Sequence, residues 1–262
     1  MPASPAPASP IPAATLVIYR RAASGPAEVL MVQRSAQLRF AGGAVAFPGG
    51  RVDAADEALA AELAPPGPAE TAGERLAETA ARIAAIRETL EETGLLLGLA
   101  GPVNAADAAA ARALLKREGA FAAVLARHGW RLDLAALVPL ARWRGPRPPA
   151  YDTRFYLADV GTGAQALSAD ASETDSLFWA SPARTLAMAA EGAVSLVFPT
   201  RRNLERLAQF AGFTEARAHA EATPRPLILP REEIRAGEPW LVIPEGLGYP
   251  VLGEPLAQAR RG

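Results

Sequence analysis

The sequence contains no cysteine, two histidines and a single lysine among its 262 residues. Without cysteine the chain can form no disulfide, thiol nucleophile or cysteine-ligated zinc site. His128 and His219 leave few options for a serine–histidine–aspartate triad, and no G-x-S-x-G motif accompanies them.

Long apolar runs and an excess of one charge are also absent. No 18-residue apolar stretch is present, and the N-terminus lacks a basic segment followed by an apolar one. The last residues do not form a peroxisomal tripeptide. A net charge of −1 provides no general attraction to nucleic acid or anionic membranes. We therefore expect a cytoplasmic protein that binds neither nucleic acid nor membrane.

Residues 83–93 are predicted to form a helix with an acidic wall. At about 100° per residue, Glu88, Glu91 and Glu92 share an arc of roughly 100°, and the apolar positions face the other way. Gly94 follows, where a left-handed helix cap favours glycine. The wall is thus confined to one side of an amphipathic helix.

Three carboxylates on one wall repel one another, and a divalent cation would relieve that repulsion while gaining hard oxygen ligands. Arg87 lies one turn before Glu91 and can pair with it. The alternative is a solvated acidic face, which is common on alanine-rich helices. The carboxylates alone do not distinguish the two interpretations, but the ordered string of residues with its glycines favours a metal site.

The order of these residues resembles the Nudix hydrolase signature, G-x5-E-x7-R-E-U-x-E-E-x-G-U, in which U is apolar. Residues 87–95 are similar to its second half, and Gly50 to its opening glycine. The signature has 13 residues between that glycine and the arginine, whereas residues 51–86 number 36 here, so an insertion of 23 (36 − 13) interrupts it. Counted back from the arginine, the isolated glutamate of the pattern falls on Thr79, beside Glu78.

A second segment narrows the resemblance. Residues 30–50, LMVQRSAQLRFAGGAVAFPGG, are similar to the segment that precedes the signature in coenzyme A-cleaving Nudix enzymes. The interrupted signature and residues 151–155 resemble the nucleoside-diphosphate-linked moiety X motif 19 branch, which includes coenzyme A diphosphatases. The resemblance implies substrate contacts from Arg34, Ser35, Arg39, Phe47 and Gly50.

The resemblance implies an α/β fold: an α/β/α sandwich with a mixed sheet, a helical insertion and a C-terminal extension. Residues 1–12, which carry no charge and are rich in proline and alanine, are expected to be a disordered tail. Residues 13–262 are expected to form one domain. The insertions are expected at about 52–74 and 101–130, and the extension from about residue 200.

Local patterns predict further elements. Apolar runs predict a hairpin of strands at 15–19 and 29–33 and another strand at 95–97. Asn104 is predicted to cap a helix through about Arg117. A later helix is predicted over 200–211, with four polar side chains facing solvent: Arg201, Arg202, Glu205 and Arg206.

The resemblance also implies hydrolysis of a pyrophosphate bond with Mg²⁺ or Mn²⁺ as cofactor. The expected metal ligands are Glu88, Glu91, Glu92 and the carbonyl oxygen of Gly49. Arg87 would orient the glutamates, and Glu88 or Glu173 would accept the proton of the attacking water. For Glu173, which precedes a predicted strand at 177–179, a surface loop carboxylate is the alternative.

The expected partner is a nucleotide-conjugate small molecule, with coenzyme A or acyl-coenzyme A first. Their products would be 3′,5′-ADP and 4′-phosphopantetheine or its acylated form. ADP-ribose and NADH are alternative substrates. A non-catalytic Nudix-fold module that binds a ligand is the alternative from another class, although an inert copy has no need for three clustered carboxylates. A homodimer is a candidate assembly.

Overall fold

The computed structural model describes residues 9–35, 43–146, 150–160, 167–170 and 174–259. Its strands are β1 (Ile11–Arg20), β2 (Glu28–Arg34), β3 (Ala44–Ala46), β4 (Gly49–Arg51), β5 (Val138–Arg144), β6 (Tyr151–Asp159), β7 (Thr174–Ala180), β8 (Ser195–Leu196), β9 (Leu227–Ile228), β10 (Arg231–Arg235), β11 (Glu238–Val242) and β12 (Gly253–Pro255). Its helices are α1 (Ala54–Leu63), α2 (Ala72–Thr93), α3 (Ala105–Glu118), α4 (Phe121–His128), α5 (Pro182–Ala190), α6 (Phe198–Leu207), α7 (Phe213–Ala222) and α8 (Leu256–Ala259).

A mixed sheet forms the centre of the molecule, with strand order β8-β3-β2-β1-β6-β5-β9. β1 runs parallel to β6 on one side. On its other side the two ends of β1 have different partners, because Tyr19 and Arg20 pair with β2 whereas Ala13, Ala14 and Thr15 pair with β4. This division brings Gly49 and Gly50 alongside the start of β1.

Side chains alternate across β1 and supply two separate cores. Leu16 and Ile18 face α1 to α4 and pack in the core that contains Ile83 and Ile86 of α2. Val17 on the opposite face packs in the core that contains Leu204 of α6 and residues of the C-terminal segment. The α/β/α sandwich with a mixed sheet is therefore confirmed.

The C-terminal segment covers the second face of the sheet. β10, β11 and β12 form a small antiparallel sheet, and β9 joins the main sheet parallel to β5. Leu241 of β11 and Leu256 of α8 belong to the same core as Val17 of β1. This arrangement explains why Arg202 and Arg206 of α6 are buried, so the prediction that they face solvent is wrong.

Three sequence predictions need correction. The predicted strand at 95–97 is irregular and follows directly after the left-handed cap of α2 at Gly94. The acidic helix begins at Ala72 rather than near residue 83. The insertion at 52–74 contains α1 in addition to the irregular stretch around Pro65–Pro68. No helix within the described ranges is both long and apolar enough to cross a membrane.

Candidate active site

Arg87 lies at the centre of a buried ion cluster in the last two turns of α2. The side chain is 6% exposed, and its guanidinium donates hydrogen bonds in three directions. Nε and Nη2 donate to Asp56 over 3.0 and 2.8 Å. Nη1 donates to Glu91 over 2.7 Å and to Glu88 over 3.0 Å. Although burial opposes its charge, the hydrogen bond to Asp56 and the surrounding carboxylates raise the pKa of Arg87 above its ordinary value.

Asp56 is a residue of this cluster that was not predicted from the sequence. It is 1% exposed and lies in the first turn of α1, where its side chain also accepts a hydrogen bond from the backbone N–H of Asp53. Counted forward from Gly50, Asp56 occupies the place of the isolated glutamate in the signature. Counting backward from Arg87 led to Thr79, and that assignment is wrong because the interruption follows the acidic residue.

Glu88 and Glu91 share a single guanidinium. Burial raises the pKa of Glu88 to about 7, with Arg87 opposing the shift and Glu91 adding to it. Burial likewise raises the pKa of Glu91. Because carboxylates crowded in a partly buried site resist ionisation, an additional positive charge would stabilise their charged forms.

Glu92 and two glycines join α2 to the sheet. Glu92 is 5% exposed, and its Oε2 accepts a hydrogen bond from the backbone N–H of Gly49 over 2.9 Å. Gly49 has φ +151°, and a Cβ there would collide with the carbonyl oxygen of Ala14. A Cβ on Gly50 would collide with the carboxylate of Glu88. The two glycines therefore permit β4 to pass between β1 and the acidic wall.

A cleft of about 1060 Å³ opens beside this wall. Eight of the predicted site residues line it: Arg34, Phe47, Gly49, Gly50, Arg87, Glu88, Glu91 and Glu92. Ser35 follows Arg34 after the end of β2 and is not among the lining residues. Arg39 and Glu173 lie outside the described residues, so their predicted roles stay predictions.

Cationic groups contact the cleft from several elements. Nε of Arg34 is buried and has no hydrogen-bond partner within the described ranges. Lys116 of α3 forms a salt bridge of 2.7 Å with Asp170, and both residues line the cleft. Arg112 of α3 donates to the carbonyl oxygen of Glu91 over 2.9 Å, which fixes the end of α2. Neither α3 residue was predicted from the sequence, because their contribution depends on contacts between separate segments.

The donor set fits a hard divalent cation. Carboxylate oxygens are the ligands that Mg²⁺ and Mn²⁺ prefer. Arg87 binds Oε1 of Glu88 and Oε2 of Glu91, so the other oxygen of each carboxylate lies outside these two hydrogen bonds. In the part of the chain that the structure describes, no three acidic or histidine side chains already converge as ligands of one ion.

Comparison with known proteins gives two informative similarities, while no family model matches the chain. A crystal structure of a Nudix hydrolase from Alicyclobacillus acidocaldarius has 31% sequence identity and a TM-score of 0.66, and the match covers 81% of this chain and 97% of that chain. The acyl-coenzyme A diphosphatase NUDT19 of Gallus gallus is 30% identical in an alignment 239 positions long, and the match covers 72% of this chain and 63% of that protein. The chain thus spans less than two thirds of the length of this curated relative.

Proposed function

This chain belongs to the Nudix hydrolase family, and we propose that it hydrolyses the pyrophosphate bond between a nucleoside diphosphate and another group. One observation carries the proposal. Arg87 joins Asp56, Glu88 and Glu91 in a single hydrogen-bonded cluster, and the latter two carboxylates line a cleft of about 1060 Å³. A cleft of this volume is large enough for a nucleotide conjugate.

A divalent cation, Mg²⁺ or Mn²⁺, would be held by Glu88, Glu91 and Glu92, with the carbonyl oxygen of Gly49 as a further proposed ligand. When bound, it would offset the charge of the diphosphate and acidify a water molecule. Glu88 and Glu91 support this assignment because their carboxylates cluster around one guanidinium, and Glu92 lines the same cleft.

The chain's own residues supply orientation and proton transfer. Asp56 accepts hydrogen bonds from Nε and Nη2 of Arg87 and thereby fixes the guanidinium against Glu88 and Glu91. Glu92 is fixed in turn by the N–H of Gly49. Glu88 or Glu173 would accept the proton from the attacking water, and both remain candidates.

The proposed substrate is coenzyme A or acyl-coenzyme A, which would give 3′,5′-ADP and 4′-phosphopantetheine or its acylated form. Two observations favour it. The chicken relative is named as an acyl-coenzyme A diphosphatase. In addition, Arg34 and Phe47, which match the segment found in coenzyme A-cleaving members, both line the cleft. A homodimer stays a prediction.

The test is to incubate the purified protein with coenzyme A, ADP-ribose and NADH, with Mg²⁺, with Mn²⁺ and with a chelator, and to separate the products by chromatography. We expect metal-dependent release of 3′,5′-ADP from coenzyme A. Cleavage of ADP-ribose or NADH instead would reassign the substrate. If no compound is cleaved while the protein still binds one of them, the chain is a ligand-binding module.

A further inference from the structure

The cleft continues from the acidic wall across four strands of the sheet. Arg51, Ala13, Thr153 and Trp143 lie in register on β4, β1, β6 and β5, and all four line the cleft. With neighbouring strands about 4.8 Å apart, the distance from Arg51 to Trp143 across the sheet is about 14 Å. Because Ala13 and Thr153 have small side chains, they leave the cleft open above the sheet between Arg51 and Trp143.

The far end of the cleft has buried apolar side chains, and two charged residues also line the cleft beside them: Glu232, the exposed cross-strand partner of Leu241, and Arg144, which follows Trp143. Trp143 forms the floor of this end, and Phe198, Leu241 and Leu256 approach from α6, β11 and α8. These four side chains are at most 8% exposed. We call them, together with Ala259 of α8, the apolar chamber.

The C-terminal wall of this chamber is held in place by a buried ion pair. Nη2 of Arg202 on α6 donates to Glu254 on β12 over 3.1 Å, and Nη1 donates to the carbonyl oxygen of Gly253 over 3.2 Å. Arg202 is 2% exposed. α6, which supplies Phe198, is therefore fixed to β12, and β12 leads directly into α8 with Leu256.

The chemistry of the chamber favours an aliphatic chain over a nucleobase. A buried base needs hydrogen-bond partners for its polar edge, whereas Phe198, Leu241 and Leu256 have no polar side-chain atom. Nε1 of Trp143 already donates to Tyr249 over 3.1 Å, and the ring stands edge-on to Phe198 and Tyr249. The buried side chains of the chamber thus provide apolar contact without groups that read a base, and the polar Glu232 beside Leu241 is exposed.

We infer that the apolar chamber binds the acyl chain of an acyl-coenzyme A substrate and thereby sets a preference for longer chains; this rests on the proposed function. The diphosphate lies at the acidic wall, and the pantetheine arm crosses the small-residue floor between the two. Phe198, Leu241 and Leu256 are then specificity-determining residues supplied by the part of the chain after residue 197.

The test compares acetyl-, hexanoyl- and decanoyl-coenzyme A. In the unaltered protein we expect kcat/KM to rise at least about tenfold from acetyl to hexanoyl, because each buried methylene adds binding free energy. Ala259→Phe fills the chamber and should reduce that ratio to within about twofold while acetyl-coenzyme A is still cleaved. Ala257→Phe, at an exposed position of the same helix, is the matched control.

A polar substitution at Leu241 tests the same inference independently. Leu241→Asn should lower the ratio and Leu241→Ile should restore it, with Ile234→Asn as the control because Ile234 is 69% exposed on the neighbouring strand. Should Leu241→Asn fail to fold, Ala259→Phe still decides. If Ala259→Phe leaves the ratio of the two kcat/KM values unchanged, the inference is overturned. It is also overturned if Ala259→Phe lowers kcat/KM equally for coenzyme A, acetyl-coenzyme A and ADP-ribose, because that result would place the nucleotide in the chamber.

Binding measured in chelator separates this inference from the proposed function. Isothermal titration should give a lower Kd for decanoyl- than for acetyl-coenzyme A, and Ala259→Phe should remove the difference. If metal-loaded protein cleaves nothing, the proposed function fails. If the two Kd values are equal in the unaltered protein, the inference about the chamber fails on its own.

Discussion

Nη2 of Arg87 donates to Oδ2 of Asp56 over 2.8 Å, although 31 residues separate the two in the chain. Nε of the same guanidinium donates to Oδ1 over 3.0 Å, so the contact is bidentate. The donor lies on α2 and the acceptor on α1. The insertion that interrupts the signature therefore forms the rest of α1, a connection and the first half of α2, and leaves this pair in contact.

Removing Asp56 should destabilise the fold. Asp56→Ala leaves the buried guanidinium without its bidentate partner but still paired with Glu88 and Glu91, so we expect the free energy of unfolding to fall by about 1.5–3 kcal/mol, the range for hydrogen bonds to charged groups. Chemical denaturation measures the difference. Glu62→Ala, at an exposed position of the same helix, is the control and should change the free energy of unfolding by less than about 0.5 kcal/mol. Equal effects of the two substitutions would show that the pair is not structural.

Local contacts could be predicted from the sequence, whereas the pairing of Asp56 with Arg87 could not. Asn104 was predicted to cap α3, and its side chain does accept a hydrogen bond from the N–H of Asp107, because a cap depends on residues three positions apart. The acidic wall on α2 is equally local. The partner of Arg87 depends on where an insertion begins, which a fixed spacing counted from one end does not reveal.

Contacts between distant segments account for the other errors. Arg202 reads as a solvated helix position, yet β12 contributes Glu254 and Gly253 to its surroundings from about 50 residues later in the chain. Leu95 to Leu97 have strand character but pack in the core as irregular chain after the cap of α2. In both cases tertiary packing overrides the local pattern.

Glu92→Gln should abolish turnover and preserve the fold. The amide oxygen of glutamine can still accept the hydrogen bond from the N–H of Gly49, so the link between α2 and β4 persists. The lost negative charge weakens cation binding, and we expect kcat/KM to fall by at least about 100-fold. Steady-state kinetics and thermal melting test this, with Glu62→Gln as the control. Activity near that of the unaltered protein would remove Glu92 from the metal site.

The two glycines of β4 should respond differently to alanine. In Gly50→Ala the added Cβ displaces the flexible carboxylate of Glu88, so activity should fall by about 100-fold with little loss of stability. In Gly49→Ala the Cβ meets backbone at Ala14 and φ is +151°, so the free energy of unfolding should fall by more than about 1 kcal/mol.

Gly73→Ala is the control for both glycine variants, because a Cβ there has no atom within 4 Å. Kinetics and chemical denaturation on the three variants give the comparison. The interpretation of β4 fails if Gly50→Ala retains full activity, or if Gly49→Ala is as stable as Gly73→Ala.

Glu205 should make stability fall as pH rises. Its side chain is 17% exposed and accepts a hydrogen bond from Arg202 over 2.8 Å. Burial raises the pKa of Glu205 from 4.5 to about 7, although Arg202 opposes the shift. The folded state then binds more protons than the unfolded state between these two pH values, so the free energy of unfolding decreases across that window, by up to about 3 kcal/mol.

Glu205→Gln removes this titration. Glu88, whose pKa is also raised, is unchanged in the variant, so a difference between the two proteins reports on Glu205. Chemical denaturation at several pH values between about 4.5 and about 7 should therefore show a shallower decline in Glu205→Gln than in the unaltered protein. Glu221→Gln, in an exposed pair with Arg217 on α7, should keep the original slope because exposed pairs contribute little. Parallel curves for all three proteins would mean that Glu205 stays ionised in the fold, and that its contact with Arg202 outweighs the cost of burial.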